Sequence, residues 1–321
     1  MIAVCICTYN PPAARWRIVV DALTSQSAPR DAFHVVIIDN GSNPALGAER
    51  IEPLLAAGIG ARIVVEPQAG LSRARLKAIA ETDDDYILFV DDDNELAPDY
   101  IENAIAFARA NPQIGAFGGK LILPRELQPA EWVTPFLPSL GIRDYGDQPI
   151  INVDQDSWGE WEPAGAGAVV HRSLLDRYVR WSQESPDFFK LGRSGRWGLA
   201  SCDDSLMMRA APRVGLGGAY VPTLSLRHHL NPRRFRFVYL MRLHYGYGQS
   251  FVRLDRILYG DIPTPNEYTR LRRVWRQMKW RWLQFAAFPW QMRLAQVLTE
   301  LGRFKEYNCG GGGGSVDRAD R

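Results

Sequence analysis

Three consecutive carboxylates are the side chains of this sequence best suited to chemistry. Asp91, Asp92 and Asp93 directly follow the apolar run Ile87–Val90. If that run is a strand, its alternation places Asp91 and Asp93 on one side. Adjacent carboxylates repel one another, and a hard divalent cation relieves this repulsion while taking phosphate oxygens of a substrate as further ligands. The pattern predicts a Mg²⁺ or Mn²⁺ site, with a solvated acidic turn as the alternative.

Polar residues also follow two earlier apolar runs. The first run ends in Thr8-Tyr9-Asn10, whose side chains could border a nucleotide base, and the second ends in Asp39-Asn40-Gly41. An aspartate at a strand end can accept a hydrogen bond from a ribose hydroxyl or a base imide. Turns and helix caps use the same residue types, so each segment alone leaves both interpretations open.

Two segments in the second half carry further candidates. Asp203 and Asp204 stand at the start of a predicted helix, where a carboxylate that faces a cleft can act as a general base. An N-cap is the structural alternative. His228 and His229 lie in a basic segment that ends at Arg234. Histidine is a common metal ligand and arginine binds phosphates bidentately, although a basic surface loop would have the same composition.

Alternating strands and helices must position these groups. Short β-branched runs predict buried parallel strands at Ile2–Cys7, His34–Ile38, Ala61–Val65 and Tyr86–Val90. Helical patterns separate them, at Ala13–Ser25, Ala48–Ala57, Ser72–Ala80 and Pro98–Ala110. This order predicts an α/β fold with a mostly parallel central sheet flanked by helices. Ligands of such sheets bind at the carboxyl ends of the strands, where the polar residues lie.

The chain changes character after Lys120. Residues 121–162 are irregular and rich in Pro and Trp, and a loop of this length in a compact domain is usually functional or mobile. A strand of small residues is predicted at Gly165–Val170, then a helix near Asp203–Ala211 and a strand near Ala219–Leu226. From Phe235 to Tyr307 the pattern is mostly helical.

Charge is distributed unevenly over the 321 residues, although the net charge is only +2. Residues 1–226 carry −9 and residues 227–308 carry +11. The basic segment is dense in Trp and Arg, which is typical of a helix at a membrane surface or of a helical hairpin with a solvated basic face. A hydrophobic content of 46% excludes a disordered chain, and the near-neutral total gives no reason to expect nucleic acid.

Four cysteines without metal-site spacing favour a reducing, cytoplasmic compartment. No stretch has the roughly 20 apolar residues that span a bilayer. We therefore expect a cytoplasmic protein, peripheral on the inner face of the plasma membrane if the basic segment binds lipid.

The order of these motifs resembles the inverting family 2 glycosyltransferases of the GT-A fold. The similarity covers about residues 1–235 and rests on six segments in the family's order: Val4–Asn10, Val36–Ser42, Gly70–Arg75, Phe89–Asp93, Gly165–Gly167, and Asp203 with Leu206 and Arg209. Tyr239–Ser250 also resembles bacterial members that act on surface polysaccharides.

The resemblance implies a role for each segment. Thr8, Tyr9, Asn10, Asp39, Arg75, Asp91 and Asp92 would bind the nucleotide; Asp91 and Asp93, with His228 or His229, would bind the metal; Gly165, Ala166 and Gly167 would form the wall against donor and acceptor. Asp203 matches the family's catalytic base. Since Cys202 replaces the usual preceding Glu, Asp204 stays open as the less favoured base.

The resemblance predicts a hexosyltransferase that uses Mn²⁺ or Mg²⁺ and a nucleotide sugar, with UDP favoured, to glycosylate a glycan or glycolipid in bacterial polysaccharide synthesis. Residues 1–226 would be the catalytic domain, with a nucleotide-binding half to about 120 and an acceptor half from about 121. Residues 227–308 would be a helical extension that contacts anionic membrane, and residues 309–321 a flexible Gly-rich tail.

Two other functions are weighed against it. A nucleotidyltransferase that makes sugar nucleotides would need a Gly-rich phosphate loop after the first strand, and Thr8–Pro12 is not one. A non-catalytic glycan-binding protein would bind sugar without turning over a nucleotide.

Overall fold

The first four predicted strands form one parallel sheet. A computed structural model of the protein describes residues 1–153, 156, 158–193, 199–260, 263–265, 268–269 and 271–309. The strands are β1 (Ile2–Thr8), β2 (Phe33–Asp39), β3 (Ala61–Val65) and β4 (Tyr86–Asp91). β1 pairs with both β2 and β4, and β3 pairs with β2, so the carboxyl ends of β1, β2 and β4 meet at one edge.

The sheet continues beyond β4 with mixed strand directions. Its further strands are β5 (Asn94–Leu96), β6 (Ile114–Ile122), β7 (Ile150–Asn152), β8 (Ala168–His171) and β9 (Gly217–His228). The order is β3-β2-β1-β4-β8-β6-β9-β5, with β7 on β9. β8 runs antiparallel between β4 and β6, whereas β6 and β9 are parallel. The predicted α/β fold is confirmed, and β6 is a strand that the hydrophobic pattern did not identify.

Helices cover the sheet and supply the rest of its core. They are α1 (Ala13–Thr24), α2 (Glu52–Ala56), α3 (Leu71–Ala80), α4 (Tyr100–Ala110), α5 (Arg172–Glu184) and α6 (Asp203–Met208). Apolar side chains are buried on both faces of the sheet, which explains why the strands read as continuous apolar runs.

The strand predicted at Gly165–Val170 begins later than expected, at Ala168. Gly165–Gly167 instead form a turn, and Gly167 has a φ of +75°, which favours glycine. The predicted helix at Ala48–Ala57 is also shorter, because a 3-10 turn at Ala48–Arg50 precedes α2.

The basic C-terminal segment is helical, as predicted. It consists of α7 (Phe237–Tyr259), α8 (Leu271–Gln284) and α9 (Trp290–Cys309). α9 packs on both α7 and α8. A β-carbon on Gly248 would collide with the Thr299 carbonyl, and one on Gly302 with the Tyr245 carbonyl, so this glycine pair lets α7 and α9 cross closely. We call α7–α9 the helical extension.

The expected domain boundary at residue 226 falls inside β9, which continues to His228. The expected flexible tail lies, except for Cys309, outside the described residues. None of the helices in the described part of the chain combines the length and the apolar character that a membrane crossing requires.

Candidate active site

A cavity of about 790 Å³ lies where the carboxyl ends of β1, β2 and β4 meet. It is lined by Thr8 and Tyr9 after β1, Asn40 and Gly41 after β2, the three aspartates after β4, and by Arg193 and Arg234. Five residues predicted to bind nucleotide or metal therefore meet here: Thr8, Tyr9, Asp91, Asp92 and Asp93. We call this the donor cavity.

The three aspartates have different surroundings. β4 ends at Asp91, and a turn brings Asp93 back beside it before β5 begins. Burial and the adjacent Asp93 raise the pKa of Asp91. Burial also raises the pKa of Asp93, but His228 and Arg234 lower it by more, so it lies below its ordinary value. Asp93 is therefore the fixed negative charge of the group.

His228 is the histidine that meets the aspartates. It ends β9, pairs with Asn94 of β5, and is 4% exposed. Its Nε2 atom lies 3.2 Å from Asp93 Oδ1. His229 faces elsewhere, because its Nε2 atom lies 2.7 Å from Glu95 Oε2. The structure thus brings His228, and not His229, to the acidic cluster.

The side chains of Asp91, Asp93 and His228 fit the coordination of a divalent metal ion. One ligand atom each from Asp91, Asp93 and His228 lies within 4.8 Å of the other two. The buried His228 Nδ1 atom has no hydrogen-bond partner among the described residues, so the 3.2 Å approach of Nε2 to Asp93 is what holds the ring beside the aspartates. Carboxylate oxygens and an imidazole nitrogen suit Mn²⁺ or Mg²⁺ completed by phosphate oxygens.

The predicted nucleotide-binding residues lie partly inside and partly outside the donor cavity. Inside it, the Thr8 hydroxyl donates a hydrogen bond to Asp92, and burial raises the pKa of Asp92 to about 6. Asp39 is fully buried, and its carboxylate accepts the backbone N–H groups of Ser42 and Leu46, both at 2.9 Å. Asn10 accepts the Asn43 N–H instead of lining the donor cavity. Asp39 and Asn10 therefore hold the loop that follows β2.

Arg75 lies deeper than the donor cavity, against the predicted catalytic base. Its Nη1 atom donates to Asp203 Oδ2 at 2.7 Å, and both side chains are buried. Burial raises the pKa of Asp203, and Arg75 opposes that rise without cancelling it. Both residues line a narrow cavity of about 130 Å³, which we call the inner cavity. It shares Asp91, Arg193 and Arg234 with the donor cavity, so the two adjoin.

The predicted glycine wall also borders the inner cavity. Gly165 donates its N–H to Asp204 Oδ2 at 3.1 Å. A β-carbon on Gly165 would lie 2.5 Å from an Arg75 nitrogen, so only glycine fits beside the Arg75–Asp203 pair. Ala166 lines the inner cavity as well, whereas the Gly167 carbonyl accepts the Tyr100 hydroxyl away from it.

Two arginines were not singled out by the sequence. Arg193 and Arg234 both line the donor cavity, and an Arg234 nitrogen lies 3.8 Å from Asp93 Oδ2. Arg234 belongs to the basic segment after β9. The sequence pattern indicated that segment but did not distinguish Arg234 from its other basic residues. Arg193 lies in an irregular stretch, so hydrophobic patterning gave no indication of its position.

Known proteins resemble this chain in sequence pattern and in fold. The model of the family "Glycosyl transferase family 2" matches residues 3–179. The mannosyltransferase PcManGT from Pyrobaculum calidifontis, solved in complex with GDP-Man and Mn²⁺, is 16% identical; the match covers 95% of this chain and 86% of that chain, with a TM-score of 0.57. S. aureus TarS 1-349 is 13% identical over 96% of this chain and 90% of its own, with a TM-score of 0.46.

The UDP complex of TarS 1-349 gives a TM-score of 0.48 at 14% identity, over 96% of this chain and 90% of that chain. No curated protein matches the sequence. The family model covers more than half of the chain, and the mannosyltransferase shares its fold. The protein therefore belongs to glycosyl transferase family 2 and is a glycosyltransferase with the GT-A fold.

Proposed function

We propose that this glycosyltransferase is metal-dependent and inverting, and that it moves a sugar from a nucleotide diphosphate to a hydroxyl of a glycan or glycolipid. One observation carries the proposal. Asp91 and His228, two of the three candidate metal ligands, and the Arg75–Asp203 pair border the same inner cavity. The site for the departing diphosphate and the carboxylate that accepts the proton therefore lie close enough to act on one bound substrate.

The donor cavity suits a nucleotide diphosphate. Its volume of about 790 Å³ lies within the range of about 300–1,000 Å³ that is usual for ligand pockets. Arg193 and Arg234 supply positive charge for the phosphates. Asp91, Asp93 and His228 would hold the divalent metal, which supplies Lewis-acid neutralisation of the departing diphosphate. The mannosyltransferase with this fold is bound to GDP-Man and Mn²⁺, which agrees with a nucleotide-sugar donor.

The acceptor side then follows from the carboxylates. Asp203 accepts the proton of an acceptor hydroxyl, and the oxygen attacks the anomeric carbon on the face opposite the diphosphate. The bond from that carbon to the diphosphate oxygen breaks, so the configuration inverts. Arg75 holds the Asp203 carboxylate in place, and Gly165 lets the backbone lie against the Arg75 side chain.

Calorimetric titration with UDP, GDP and dTDP, each with and without Mn²⁺, tests the donor assignment. We expect one diphosphate to bind, with UDP favoured from the sequence, and to bind more tightly when Mn²⁺ is present. The corresponding monophosphate is the matched control, because it keeps the base and removes the β-phosphate. If none of the diphosphates binds under either condition, the donor assignment is wrong.

An exposed surface on the helical extension supports membrane attachment. Leu271, Trp275, Trp280, Leu283, Phe288 and Trp290 are between 45% and 69% exposed. Arg272, Arg276 and Lys279 are exposed among them, and residues 271–299 contain no Asp or Glu. We call these nine residues the basic aromatic surface. Aromatic and basic side chains together fit an anionic bilayer surface, such as the inner face of a plasma membrane.

Replacing Arg272, Arg276 and Lys279 by Gln is expected to weaken binding to vesicles that contain anionic lipid. A basic side chain near an anionic surface contributes about 1 kcal/mol, so the loss is about 3 kcal/mol, or on the order of 100-fold. Vesicle sedimentation measures the effect. Arg17, Arg109 and Arg125, which are exposed elsewhere, make the matched triple control when replaced by Gln. Equal binding of both triple variants, with intact folds, would remove the membrane assignment.

These assignments support a role in biosynthesis and separate functions for two parts of the chain. A glycosyltransferase that attaches to an anionic membrane fits the building of a bacterial surface polysaccharide or glycolipid. Residues up to Arg234, which include the metal-site residue His228, would provide catalysis, and the basic aromatic surface of the helical extension would provide attachment.

A further inference from the structure

A third cavity, of about 410 Å³, adjoins the inner cavity on the side away from the aspartate cluster. It shares Ser139, Arg143, Asp204 and Tyr247 with the inner cavity, and it shares no lining residue with the donor cavity. The donor cavity, the inner cavity and this third cavity therefore lie in sequence along one cleft. Asp204 lines both the inner and the third cavity, whereas Asp203 lines the inner cavity alone of the two, so a substrate in the third cavity would reach Asp203 through the inner cavity, from the side opposite the nucleotide.

Aromatic rings form one wall of the third cavity. The ring centroids of Trp158 and Phe251 are 5.7 Å apart, and the Tyr247 ring lies parallel to Phe251 at 6.0 Å. Trp158 is 52% exposed even though Trp161, three residues later, is buried. An exposed aromatic face of this kind packs against the C–H face of a pyranose ring, since both surfaces are flat and apolar.

Polar groups with unused hydrogen-bonding capacity form the other wall. Glu162 is only 6% exposed, and its Oε2 atom has no hydrogen-bond partner among the described residues. The Arg143 Nε atom is buried without a partner as well. Buried polar atoms are normally paired, so an unpaired carboxylate oxygen and an unpaired N–H at the same cavity indicate a ligand that supplies both a donor and an acceptor. A sugar hydroxyl does both.

The charge of the third cavity differs from that of the donor cavity. Two carboxyl groups, Glu162 and Asp204, line it, while Arg143 is its one Lys or Arg in the described part of the chain. The Arg143 Nη1 atom already donates to the Glu162 carbonyl at 2.7 Å. His244 also lines the cavity, and burial lowers its pKa to about 4, so it is neutral. Burial raises the pKa of Glu162 to about 7, so the lining offers no excess positive charge for a phosphate and suits an uncharged ring.

We propose that the third cavity binds the acceptor as an uncharged pyranose ring, so that the acceptor end of the substrate is a glycan and any lipid phosphate stays outside. This proposal rests on the proposed function. Tyr247 and Phe251 belong to α7, and Gln296 and Thr299 to α9. All four follow residue 179, where the family match ends. The helical extension therefore completes an acceptor site whose other wall, with Arg143, Trp158 and Glu162, belongs to the matched region.

Saturation-transfer NMR with methyl pyranosides tests this assignment on the full chain, with diamagnetic Mg²⁺ and the diphosphate that binds. The probes are methyl glycosides of glucose, galactose, mannose and N-acetylglucosamine, and the 6-phosphates of the first three. We expect at least one uncharged glycoside to bind through its ring protons. Trp158→Ala and Phe251→Ala should each weaken that binding by about tenfold, without changing the diphosphate Kd.

Glu162→Gln keeps the shape of the cavity and is expected to weaken binding of the same glycoside. This variant tests the proposal even if an aromatic variant does not fold. Leu55→Ala and Glu160→Gln, exposed and outside the cavity, are the matched controls. The proposal is overturned if no uncharged glycoside binds, if only the phosphates bind, or if the three cavity variants bind as the wild type does. Failure of the diphosphate to bind would instead count against the proposed function, so the two failures are distinguishable.

Discussion

The Asp203→Asn variant is expected to transfer sugar about 10²–10⁴-fold more slowly than the wild type at saturating substrate, because a general base contributes a factor of that size. The amide cannot accept the acceptor proton, but its oxygen can still accept the Arg75 hydrogen bond that Asp203 accepts at 2.7 Å. We therefore expect the diphosphate Kd to change little, whereas the thermal midpoint should fall because the buried Arg75 keeps its charge without the paired carboxylate. Steady-state kinetics, calorimetry and thermal denaturation measure the three quantities.

Asp204→Asn is the matched comparison, because it removes a neighbouring carboxylate from the same helix start. Asp204 Oδ2 accepts the Gly165 N–H and faces both the inner and the third cavity. If Asp203 is the base, Asp204→Asn should retain much more of kcat and should act mainly on the KM of the acceptor. A larger fall in kcat for Asp204→Asn than for Asp203→Asn would transfer the role of base to Asp204.

Asp93→Asn is expected to remove the Mn²⁺-dependent part of diphosphate binding and to lower kcat by about 100-fold or more. Substitutions of groups that only orient metal ligands already cost about 10–100-fold, and Asp93 is assigned as a direct ligand. Its pKa lies below the ordinary value, so its charge is present throughout the neutral range. Calorimetry with and without Mn²⁺, on wild type and variant, measures the effect.

Asp83→Asn is the control for this experiment, since Asp83 is exposed in an acidic run of the same length, Asp83-Asp84-Asp85. That variant should keep the full effect of Mn²⁺. If Mn²⁺ strengthens diphosphate binding equally in wild type and Asp93→Asn, then Asp93 is not a metal ligand and the assignment of Asp91 and His228 to the same ion fails with it.

The first half of the fold was predictable because β1, β2 and β4 are buried on both faces, although the predicted burial of the edge strand β3 was wrong. β1, β3 and β4 begin where their apolar runs begin, and polar residues after β1, β2 and β4 line one cavity. β6 was missed because glycines at 115, 118 and 119 interrupt its pattern. Its place between β8 and β9 depends on partners that are distant in sequence.

The choice between His228 and His229 illustrates a signal that was present but unused. Leu224, Leu226 and His228 alternate along β9, and all three are buried. Extending that alternation by one step selects His228 for the inner face. Glu162 and Trp158, in contrast, lie in an irregular stretch with no periodicity, and their cavity exists only after α7 has packed against it. Local sequence patterns do not show which distant segments pack against each other.

The close crossing of α7 and α9 at Gly248 and Gly302 has an evolutionary consequence. It joins the helix that carries Tyr247 and Phe251 to α9, on which α8 and the basic aromatic surface rest. On the two proposals above, the helices that complete the acceptor site and those that carry the basic aromatic surface would be inherited together, and a substitution at either glycine would disturb both at once.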